Sequence, residues 1–335
     1  MELYLDSADI KEIREVSKLG FITGLTTTPT FMHRHGITDV DAAIVELSKI
    51  VEVLQIEALG SNAEEIVKEA YRQEALGLDR KKTVYKIPIS MEGVKACKKL
   101  VDEGFLVNIH LVYTLQQAYM AMQAGATYVC PLVGRLQDQG HDALVLVEQC
   151  VQAVNHYKYN TKIMFSSVRN AEHVRNAINI GVHTITVPWK IMKQLTENNF
   201  TTIGTQQFEE HTRLMTVKVG DAIRDKNPIV RIDTTIADCL VEMTSGGFGA
   251  VTIVDGTHKA IGFFTDGDLR RFIEKGGDIK DTLKQSVAIK NPLTIGADEL
   301  LIKAQELFAL HKVDELIVVN NDEKVVGLLD IQDLV

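Results

Sequence analysis

The feature that most constrains this fold is a regular alternation of short apolar runs with longer amphipathic segments over the first part of the chain. The short runs suit buried strands, and the longer segments carry apolar residues at the spacing of a helix. Strands are predicted at residues 3–6, 22–26, 53–59, 84–88, 106–111, 128–133, 162–167 and 184–188. The clearest helices are predicted at residues 63–77, 93–103, 143–156 and 171–180. About eight strand–helix units in about 200 residues are typical of a small (β/α)8 barrel.

A doubly wound open sheet is the alternative, because it shows the same alternation of strands and helices. Such a sheet usually has fewer strands and a glycine-rich first turn that binds a dinucleotide. The first turn here reads Asp6-Ser7-Ala8-Asp9 and contains no glycine. The sequence therefore favours the barrel.

The remainder of the chain contains a tandem repeat. Asn227-Pro228-Ile229 matches Asn291-Pro292-Leu293, and residues 262–269 match residues 327–334. A repeat of about 60 residues is too long for a solenoid unit and fits two small α+β modules packed on each other. We predict a barrel domain over residues 1–216 and a tandem module over residues 217–335, divided into 217–277 and 278–335. Residues 213–219 contain no Pro/Gly-rich linker, which is compatible with one continuous helix there.

Composition excludes several classes of protein. The chain has 335 residues and a net charge of −9, which argues against nucleic acid or an acidic membrane as the main partner. Its four cysteines are widely spaced and lack metal-ligand or redox spacing, so we expect reduced thiols and a cytoplasmic location. The first residues lack the features of a signal peptide, and no apolar run approaches the ~20 residues of a membrane span.

Three of the predicted strands carry ionisable residues where a barrel has its active site: Asp6, Glu57 and Lys86. One interpretation is a structural ion triad that holds the barrel together. The other is an imine-forming lysine, because burial favours the neutral amine that attacks a ketone carbon. The two carboxylates would then move protons during imine formation and bond cleavage.

A second polar group follows the sixth and seventh strands. It consists of Arg135, Ser167 and Arg169. Two guanidinium groups and a hydroxyl suit a sugar phosphate, and barrels commonly bind phosphate near their last strands. The alternative is that each is an ordinary solvated surface residue.

These residues stand in motifs that resemble those of the small bacterial transaldolases and the fructose-6-phosphate aldolases. The motifs are Met1-Glu2-Leu3-Tyr4-Leu5-Asp6, Gly24-Leu25-Thr26-Thr27, Lys86-Ile87-Pro88, Ala124-Gly125-Ala126-Thr127-Tyr128-Val129, Gly134-Arg135 and Ser166-Ser167-Val168-Arg169. The resemblance implies a Schiff-base enzyme on this barrel that needs no cofactor.

The same resemblance implies a role for each site residue. Lys86 would form the imine, Asp6 would be the acid/base at C–C cleavage, and Glu57 would move protons through a water. The substrate would be bound by residues on or just after four strands: Thr26, Thr28, Asn108, Arg135, Ser167 and Arg169.

Four positions depart from the family's pattern. Thr28 replaces an asparagine that contacts substrate, Cys130 replaces a serine, and His110 replaces a threonine beside the catalytic water. Leu132 stands where these transaldolases have Phe and the aldolases have a catalytic Tyr. Without that Tyr and with Glu57 kept, the chain looks more like a transaldolase. His110 is either a further acid/base group, since histidine titrates near neutral pH, or a neutral residue that fills space.

The tandem repeat resembles a pair of cystathionine-β-synthase (CBS) domains, above all those of arabinose-5-phosphate isomerases, through the run from Gly262 to Arg271. In such modules a Thr/Ser and an Asp three residues later bind an adenine nucleotide. The first repeat keeps both, as Thr265 and Asp268. The second keeps Asp333, but Asp330 replaces the Thr/Ser and would repel phosphate, so at most one cleft is expected to bind. The alternative is a dimerisation module without a ligand.

Together these features predict a transaldolase-like enzyme that transfers a dihydroxyacetone unit between sugar phosphates, with the CBS pair as its regulatory module. The alternatives are an aldolase acting on fructose 6-phosphate or another sugar phosphate, and a non-catalytic sugar-phosphate sensor. No metal site is expected: His33-Arg34-His35 is predicted to be a solvated loop without a third ligand. The family resemblance implies that the helix predicted at residues 205–216 packs against a neighbouring subunit, so a homo-oligomer is expected.

Overall fold

The computed structural model describes residues 1–286 and 292–334. Asn291 of the repeated Asn-Pro motif and the last residue, Val335, lie outside the described residues. The chain forms two compact units, Met1–Glu197 and Asn198–Val335.

The first unit is a closed barrel of eight parallel strands in sequence order, which confirms the predicted fold. The strands are β1 (Glu2–Asp6), β2 (Gly24–Thr26), β3 (Val53–Glu57), β4 (Thr83–Pro88), β5 (Leu106–Val112), β6 (Tyr128–Pro131), β7 (Lys162–Phe165) and β8 (Thr184–Val187). Hydrogen bonds between β1 and β8 close the barrel, so no strand edge is left unpaired.

Helices follow the strands and pack against the outside of the barrel. They are α1 (Ile10–Ser17), α2 (Pro29–Arg34), α3 (Val40–Ser48), α4 (Ala63–Glu74), α5 (Met91–Asp102), α6 (Leu115–Gln123), α7 (Val133–Gln137), α8 (Ala143–Tyr157), α9 (Ala171–Ile180) and α10 (Trp189–Gln194). Asp9, Asn62, Ser90 and Asn170 start four of them, each with its side chain accepting backbone N–H groups.

The loop predicted at His33-Arg34-His35 is wrong, although all three residues are exposed as predicted. Residues His33 and Arg34 form the last turn of α2, and His35 follows as its C-cap. The helix starts because Pro29 occupies the first turn and the Thr28 hydroxyl accepts the N–H of Phe31 at 3.3 Å.

The second unit contains two three-stranded sheets, one for each repeat. The strands are β9 (Ile229–Arg231), β10 (Ala250–Val254) and β11 (Ala260–Thr265) in the first, and β12 (Thr294–Gly296), β13 (Glu315–Val319) and β14 (Val325–Asp330) in the second. The helices are α11 (Asn199–Thr216), α12 (Val219–Ala222), α13 (Ile236–Gly246), α14 (Asp266–Glu274), α15 (Leu283–Ser286) and α16 (Leu301–His311), followed by a 3₁₀ turn (Ile331–Leu334). Apolar residues of both sheets, among them Val254, Ile317 and Leu328, form one shared core. The two repeats are therefore packed together as predicted.

Helix α11 belongs to the second unit, whereas the sequence analysis placed the boundary after residue 216. Leu214 packs into the core of the second repeat beside Val219 and Leu301, which explains the difference. The continuous helix considered for residues 213–219 does not form, because the backbone is extended at Val217.

Helix α11 leaves several large apolar side chains exposed, including Phe200 and Phe208. The predicted oligomer stays a prediction. Within residues 1–286 and 292–334, no helix is both long and apolar enough for a membrane span.

Candidate functional site

A cavity of about 730 Å³ opens where the barrel strands end. All ten residues predicted for the barrel site line it: Asp6, Thr26, Thr28, Glu57, Lys86, Asn108, His110, Arg135, Ser167 and Arg169. Residues of at least six strands or strand ends therefore meet in one place, as the barrel topology requires.

At the base of the cavity a lysine and a glutamate form a buried ion pair. The register of the sheet places Glu57 beside Lys86 and Lys86 beside Asn108, so their side chains emerge on one face. Lys86 Nζ lies 2.9 Å from Glu57 Oε1 and donates a hydrogen bond of 2.9 Å to the carbonyl of Thr27. Lys86 is only 5% exposed, so both charges have lost most of their water.

His110 contacts the other oxygen of the same carboxylate. Its Nε2 lies 2.9 Å from Glu57 Oε2, but neither atom makes an aligned hydrogen bond with a described residue. Burial would raise the pKa of Glu57, but the Lys86 cation and the neighbouring His110 hold it below its usual value. Burial lowers the pKa of His110, against the pull of Glu57 and with help from Lys86 and Arg135. Glu57 is thus a carboxylate and His110 a neutral imidazole near pH 7.

Asp6 also interacts with the charge of Lys86, but in a different environment. Burial raises the pKa of Asp6, although the Lys86 charge and the Thr26 hydroxyl act in the opposite direction. Thr26 Oγ1 donates to Asp6 Oδ1 at 2.8 Å and also contacts the hydroxyl of Thr186. The two carboxylates beside Lys86 therefore have pKa values shifted in opposite directions, a pattern that separates an acid from a base.

Asn108 is held by a residue that the sequence analysis missed. Gln55, one layer below Glu57 on β3, accepts a hydrogen bond of 2.7 Å from Asn108 Nδ2. Both residues are fully buried. Asn108 Oδ1 has no hydrogen-bond partner among the described residues.

The predicted phosphate residues lie at one corner of the cavity, and both arginines already have partners. Arg169 Nη2 lies 2.9 Å from Asp138 Oδ2, and Arg135 Nη1 donates to the Tyr113 hydroxyl at 3.1 Å. Arg169 and Arg135 are exposed, so neither contact is strong. A phosphate dianion could replace Asp138 as the partner of Arg169.

The backbone at this corner is unusually close and strained. A Cβ on Gly134 would lie 2.1 Å from the carbonyl oxygen of Ser167, so only glycine fits there. Ser167 has φ +59°, and Leu111 at the end of β5 has φ +57° beside a shift of register between Ile109 and Val112. Both residues line the cavity, and strain of this kind is common at functional sites.

Several other polar residues line the cavity without having been predicted. Arg34 and His35 of the α2 region are among them, and Ser7 lies there with its hydroxyl bonded to Glu12 at 2.8 Å. Thr186, which lines the cavity, and Gln55, which does not but holds Asn108, could not be recognised in the sequence, because a buried Thr or Gln within a strand looks like any other core position. Arg34 was missed because α2 was read as a loop.

The second unit contains another cavity, of about 580 Å³, between the two repeats. Thr265 and Asp268 line it, together with Leu293 and Ile317. Thr265 is the N-cap of α14: its hydroxyl donates to Asp268 Oδ2 at 2.8 Å, and Asp268 Oδ1 lies 2.7 Å from Arg271.

Asp333 does not line this cavity. Its carboxylate lies 2.9 Å from Arg224 Nε and accepts the N–H of Asp330 at 3.0 Å. The structure therefore brings together two of the three predicted nucleotide residues and places the third with an arginine. Over the described part of the chain, no group of three or more His, Cys, Asp or Glu side chains is placed to hold a metal ion.

Comparison with known families accounts for both units. A model described as transaldolase/fructose-6-phosphate aldolase matches residues 3–228. The CBS domain model matches residues 219–275 and again residues 283–335. The second part of the chain is therefore a CBS domain pair.

Relatives of the barrel are found in several bacteria. A probable transaldolase of Thermoanaerobacter sp. (strain X514) is 37% identical over 220 residues, which cover 65% of this chain and 100% of that protein. A probable transaldolase of Syntrophobacter fumaroxidans is 36% identical over 212 residues, or 62% of this chain and 95% of that protein. These similarities indicate an enzyme of the transaldolase/aldolase type.

Two solved structures of CBS domain proteins are similar to part of this chain. A CBS domain protein from Pyrobaculum aerophilum complexed with AMP is 17% identical and covers 35% of this chain and 89% of its own, with a TM-score of 0.32. A CBS domain pair/ACT domain protein from Thermotoga maritima is 19% identical, covers 35% of this chain and 93% of its own, and has a TM-score of 0.30.

The buried ion pair predicts a pH-dependent contribution to stability. Glu57→Gln leaves the Lys86 ammonium without its counter-charge and should lower the free energy of unfolding by about 3 kcal/mol at pH 7. The pKa of Glu57 is lowered from its ordinary value of 4.5. The contribution of the ion pair to stability is therefore complete above pH 4.5, and it disappears as the pH falls through the pKa of Glu57 in the folded state. Urea unfolding followed by the fluorescence of Trp189, the single tryptophan, reports on the barrel.

The matched control is Glu46→Gln, which removes an exposed ion pair with Arg14. It should change the free energy of unfolding by less than about 1 kcal/mol. Equal effects of the two substitutions at pH 7 would contradict the assignment of a buried, stabilising pair.

Proposed function

We propose that this chain, which belongs to the transaldolase/fructose-6-phosphate aldolase family, is a Schiff-base transaldolase that moves a dihydroxyacetone unit between sugar phosphates. The observation that carries the proposal is the position of Lys86, buried at the base of the cavity with Glu57 at 2.9 Å and Asp6 nearby. A structural ion pair alone would not need a second carboxylate, an open cavity and cationic residues at its rim.

The first step joins the substrate to the enzyme. The neutral amine of Lys86 attacks the ketone carbon, and the carbinolamine loses its hydroxyl as water to give an iminium. Glu57 is a carboxylate in the resting enzyme and lies against the amine, so it receives the proton that Lys86 must lose. The same group, with His110 at its other oxygen, can return a proton to the departing water.

Cleavage of the carbon–carbon bond is assigned to Asp6. The Asp6 carboxylate takes the hydroxyl proton from the carbon on the far side of the bond that breaks. That carbon leaves as an aldehyde. The electrons of the broken C–C bond form an enamine with the Lys86 nitrogen. Burial raises the pKa of Asp6, which makes it a stronger base than an exposed carboxylate. Reversal of these steps with a second aldehyde, followed by hydrolysis of the iminium, completes the transfer.

The remaining residues are proposed to hold the substrate. Arg135 and Arg169, with Ser167, would bind the phosphate, and Asn108 Oδ1 would accept a hydrogen bond from a sugar hydroxyl. Thr26 orients the Asp6 carboxylate, and Thr28 lies at the start of α2 in the cavity wall. An aldolase differs from this proposal in one respect: it would release dihydroxyacetone without an acceptor aldehyde.

For the CBS pair we propose an adenine nucleotide in the cavity lined by Thr265 and Asp268. The cavity also has carboxylates at Asp266, Asp314 and Glu315, with Arg271 as its cationic residue. Because acidic groups outnumber that cation, ligands with few phosphates are favoured over those with many.

Covalent trapping tests the Schiff base. Borohydride in the presence of a ketose phosphate should add the mass of the reduced sugar fragment to the wild-type chain and to none of the Lys86→Ala chains. Lys190→Ala is the matched control, since Lys190 lines the same cavity on its exposed side and should still be trapped. Trapping that survives in Lys86→Ala would refute the assignment.

The histidine should control the acid side of the pH–rate profile. Because burial lowers the pKa of His110 below its ordinary 6.5, the imidazole gains a proton only at more acidic pH, and kcat/KM should fall there. His110→Thr should shift that part of the profile, whereas His35→Asn, at the rim of the cavity, should not. An unchanged profile in His110→Thr would leave His110 as a packing residue.

Loss of the phosphate arginine should affect binding and depend on the substrate. Arg169→Ala should raise KM for a ketose phosphate by about 10- to 100-fold, the loss of one or two charge-assisted hydrogen bonds. KM for an unphosphorylated ketose should change little. Arg175→Ala removes an exposed arginine of the next helix, paired with Glu172, and serves as control. Equal effects on both substrates would argue against a phosphate at this corner.

Nucleotide binding has a matched control within the same repeat. Thr235 and Asp238 form a capping pair like that of Thr265 and Asp268, but they do not line the cavity. Calorimetry should show AMP binding more tightly than ADP or ATP, lost in Asp268→Asn and retained in Asp238→Asn. No heat from any of the three nucleotides with a folded, active enzyme would indicate an assembly module instead.

A further inference from the structure

The two repeats treat their equivalent aspartates differently. Asp333 corresponds in the repeat to Asp268, and it lies 2.9 Å from Nε of Arg224. The Asp333 side chain is 15% exposed and the Arg224 side chain 31%, so the pair is largely shielded from water. Asp268, by contrast, pairs with Arg271 of its own helix at the edge of an open cavity.

Arg224 has two further partners around the same point. Its Nη1 donates to the carbonyl of Gly247 at 2.6 Å, and its guanidinium carbon lies 4.3 Å from the ring centre of Phe248. A carboxylate, a carbonyl and an aromatic face are the three kinds of group that a guanidinium binds best. These three groups, from both repeats, make a site shaped for a planar cation.

The backbone of Arg224 is also fixed in place. Asn227 Nδ2 donates to the carbonyl of Arg224 at 2.6 Å, and Asn227 Oδ1 accepts the N–H of Leu328 at 2.7 Å. Gly327 allows this approach, since a Cβ there would lie 2.7 Å from Asn227 Oδ1. Asn227 thus connects the segment that carries Arg224 to β14. The backbone position from which the Arg224 side chain extends is therefore fixed.

The site of Arg224 corresponds to part of the cavity lined by Thr265. Phe248 stands two residues before β10, as Val313 stands two residues before β13, and Val313 lines that cavity. We call the region bounded by Gly247, Phe248 and Asp333 the second cleft. In the sequence, Arg224 precedes Asn227-Pro228 as Ala288 precedes Asn291-Pro292, so the other repeat has no cation at this position.

We propose that Arg224 is a built-in guanidinium ligand that fills the second cleft, so that the CBS pair takes one nucleotide per chain and keeps a latent site for a planar cation. The part concerning the nucleotide rests on the function proposed above for Thr265 and Asp268. The part concerning the cation stands on the contacts of Arg224 alone. The departure at Asp330 fits this arrangement, because a second carboxylate beside Asp333 favours a cation over a phosphate.

Chemical rescue of the full-length protein tests the cation site. Arg224→Ala should unfold at a lower temperature than wild type, and methylguanidinium should restore part of the loss in a saturable way. Methylurea, which has the same shape without the charge, should not. The double substitution Arg224→Ala/Asp333→Asn should lose the rescue, and Arg231→Ala, which removes an exposed arginine near Asp233, should show none.

A second variant covers the case in which Arg224→Ala does not fold. Arg224→Lys keeps the charge but lacks the planar fork, and should have a stability between those of the wild type and Arg224→Ala. The proposal is overturned if methylguanidinium shifts wild type and Arg224→Ala equally, or if Arg224→Lys is as stable as wild type.

The nucleotide part is measured by equilibrium dialysis with AMP. One AMP per chain in wild type, and still one in Arg224→Ala, is expected, since Asp330 and Asp333 disfavour phosphate in the opened cleft. Two AMP per wild-type chain would overturn the proposal. If wild type binds no AMP, the function proposed for Thr265 and Asp268 fails, and the rescue experiment still decides whether Arg224 fills a cation site.

Discussion

The ion pair between Lys86 and Glu57 governs the arrangement of the barrel site. Two charges that have left water are tolerated only when each has a close partner, and here a distance of 2.9 Å provides it. The neighbouring groups follow from that pair. His110 lies 2.9 Å from the second oxygen of the carboxylate and is neutral near pH 7, while Asp6, which also interacts with the Lys86 charge, has its pKa raised by burial. A closed barrel is what makes this possible, because neighbouring strands in register point their side chains into one dry interior.

The charged residues at the outer part of the cavity are exposed, unlike the buried pair at its base. Arg135 and Arg169 are exposed and have partners that a ligand can replace, Tyr113 and Asp138. These exposed contacts are weak and leave the cavity open. The rigid part of this corner is its backbone: Gly134 lies against the Ser167 carbonyl, so the loops after β6 and β7 have a fixed spacing. In the proposed function, the buried ion pair would serve the chemistry and the exposed arginines at the rim would serve binding.

The second unit shows how a repeated sequence becomes asymmetric. Both repeats build the same three-stranded sheet and share one core, yet their clefts differ. One has Thr265 and Asp268 beside an open cavity; the other has Asp333 closed by Arg224. In the proposal made above, a single arginine before Asn227-Pro228 makes the difference, since its guanidinium contacts the carboxylate, the carbonyl and the aromatic ring together.

The sequence by itself, together with its family resemblance, determined the barrel, the tandem repeat and ten of the residues that line the barrel cavity. Strand and helix periodicity and short motifs are local, so they can be recognised in the sequence alone. Tertiary structure decided the partners: Gln55 against Asn108, Thr186 against Thr26, Asp138 against Arg169, and Arg224 against Asp333. It also placed α11 in the second unit, through the burial of Leu214, and made α2 a helix that carries Arg34 to the cavity. Each of these depends on which distant side chains share a desolvated space. That is set by barrel closure and by the packing of the two repeats, neither of which leaves a periodic signal in the chain.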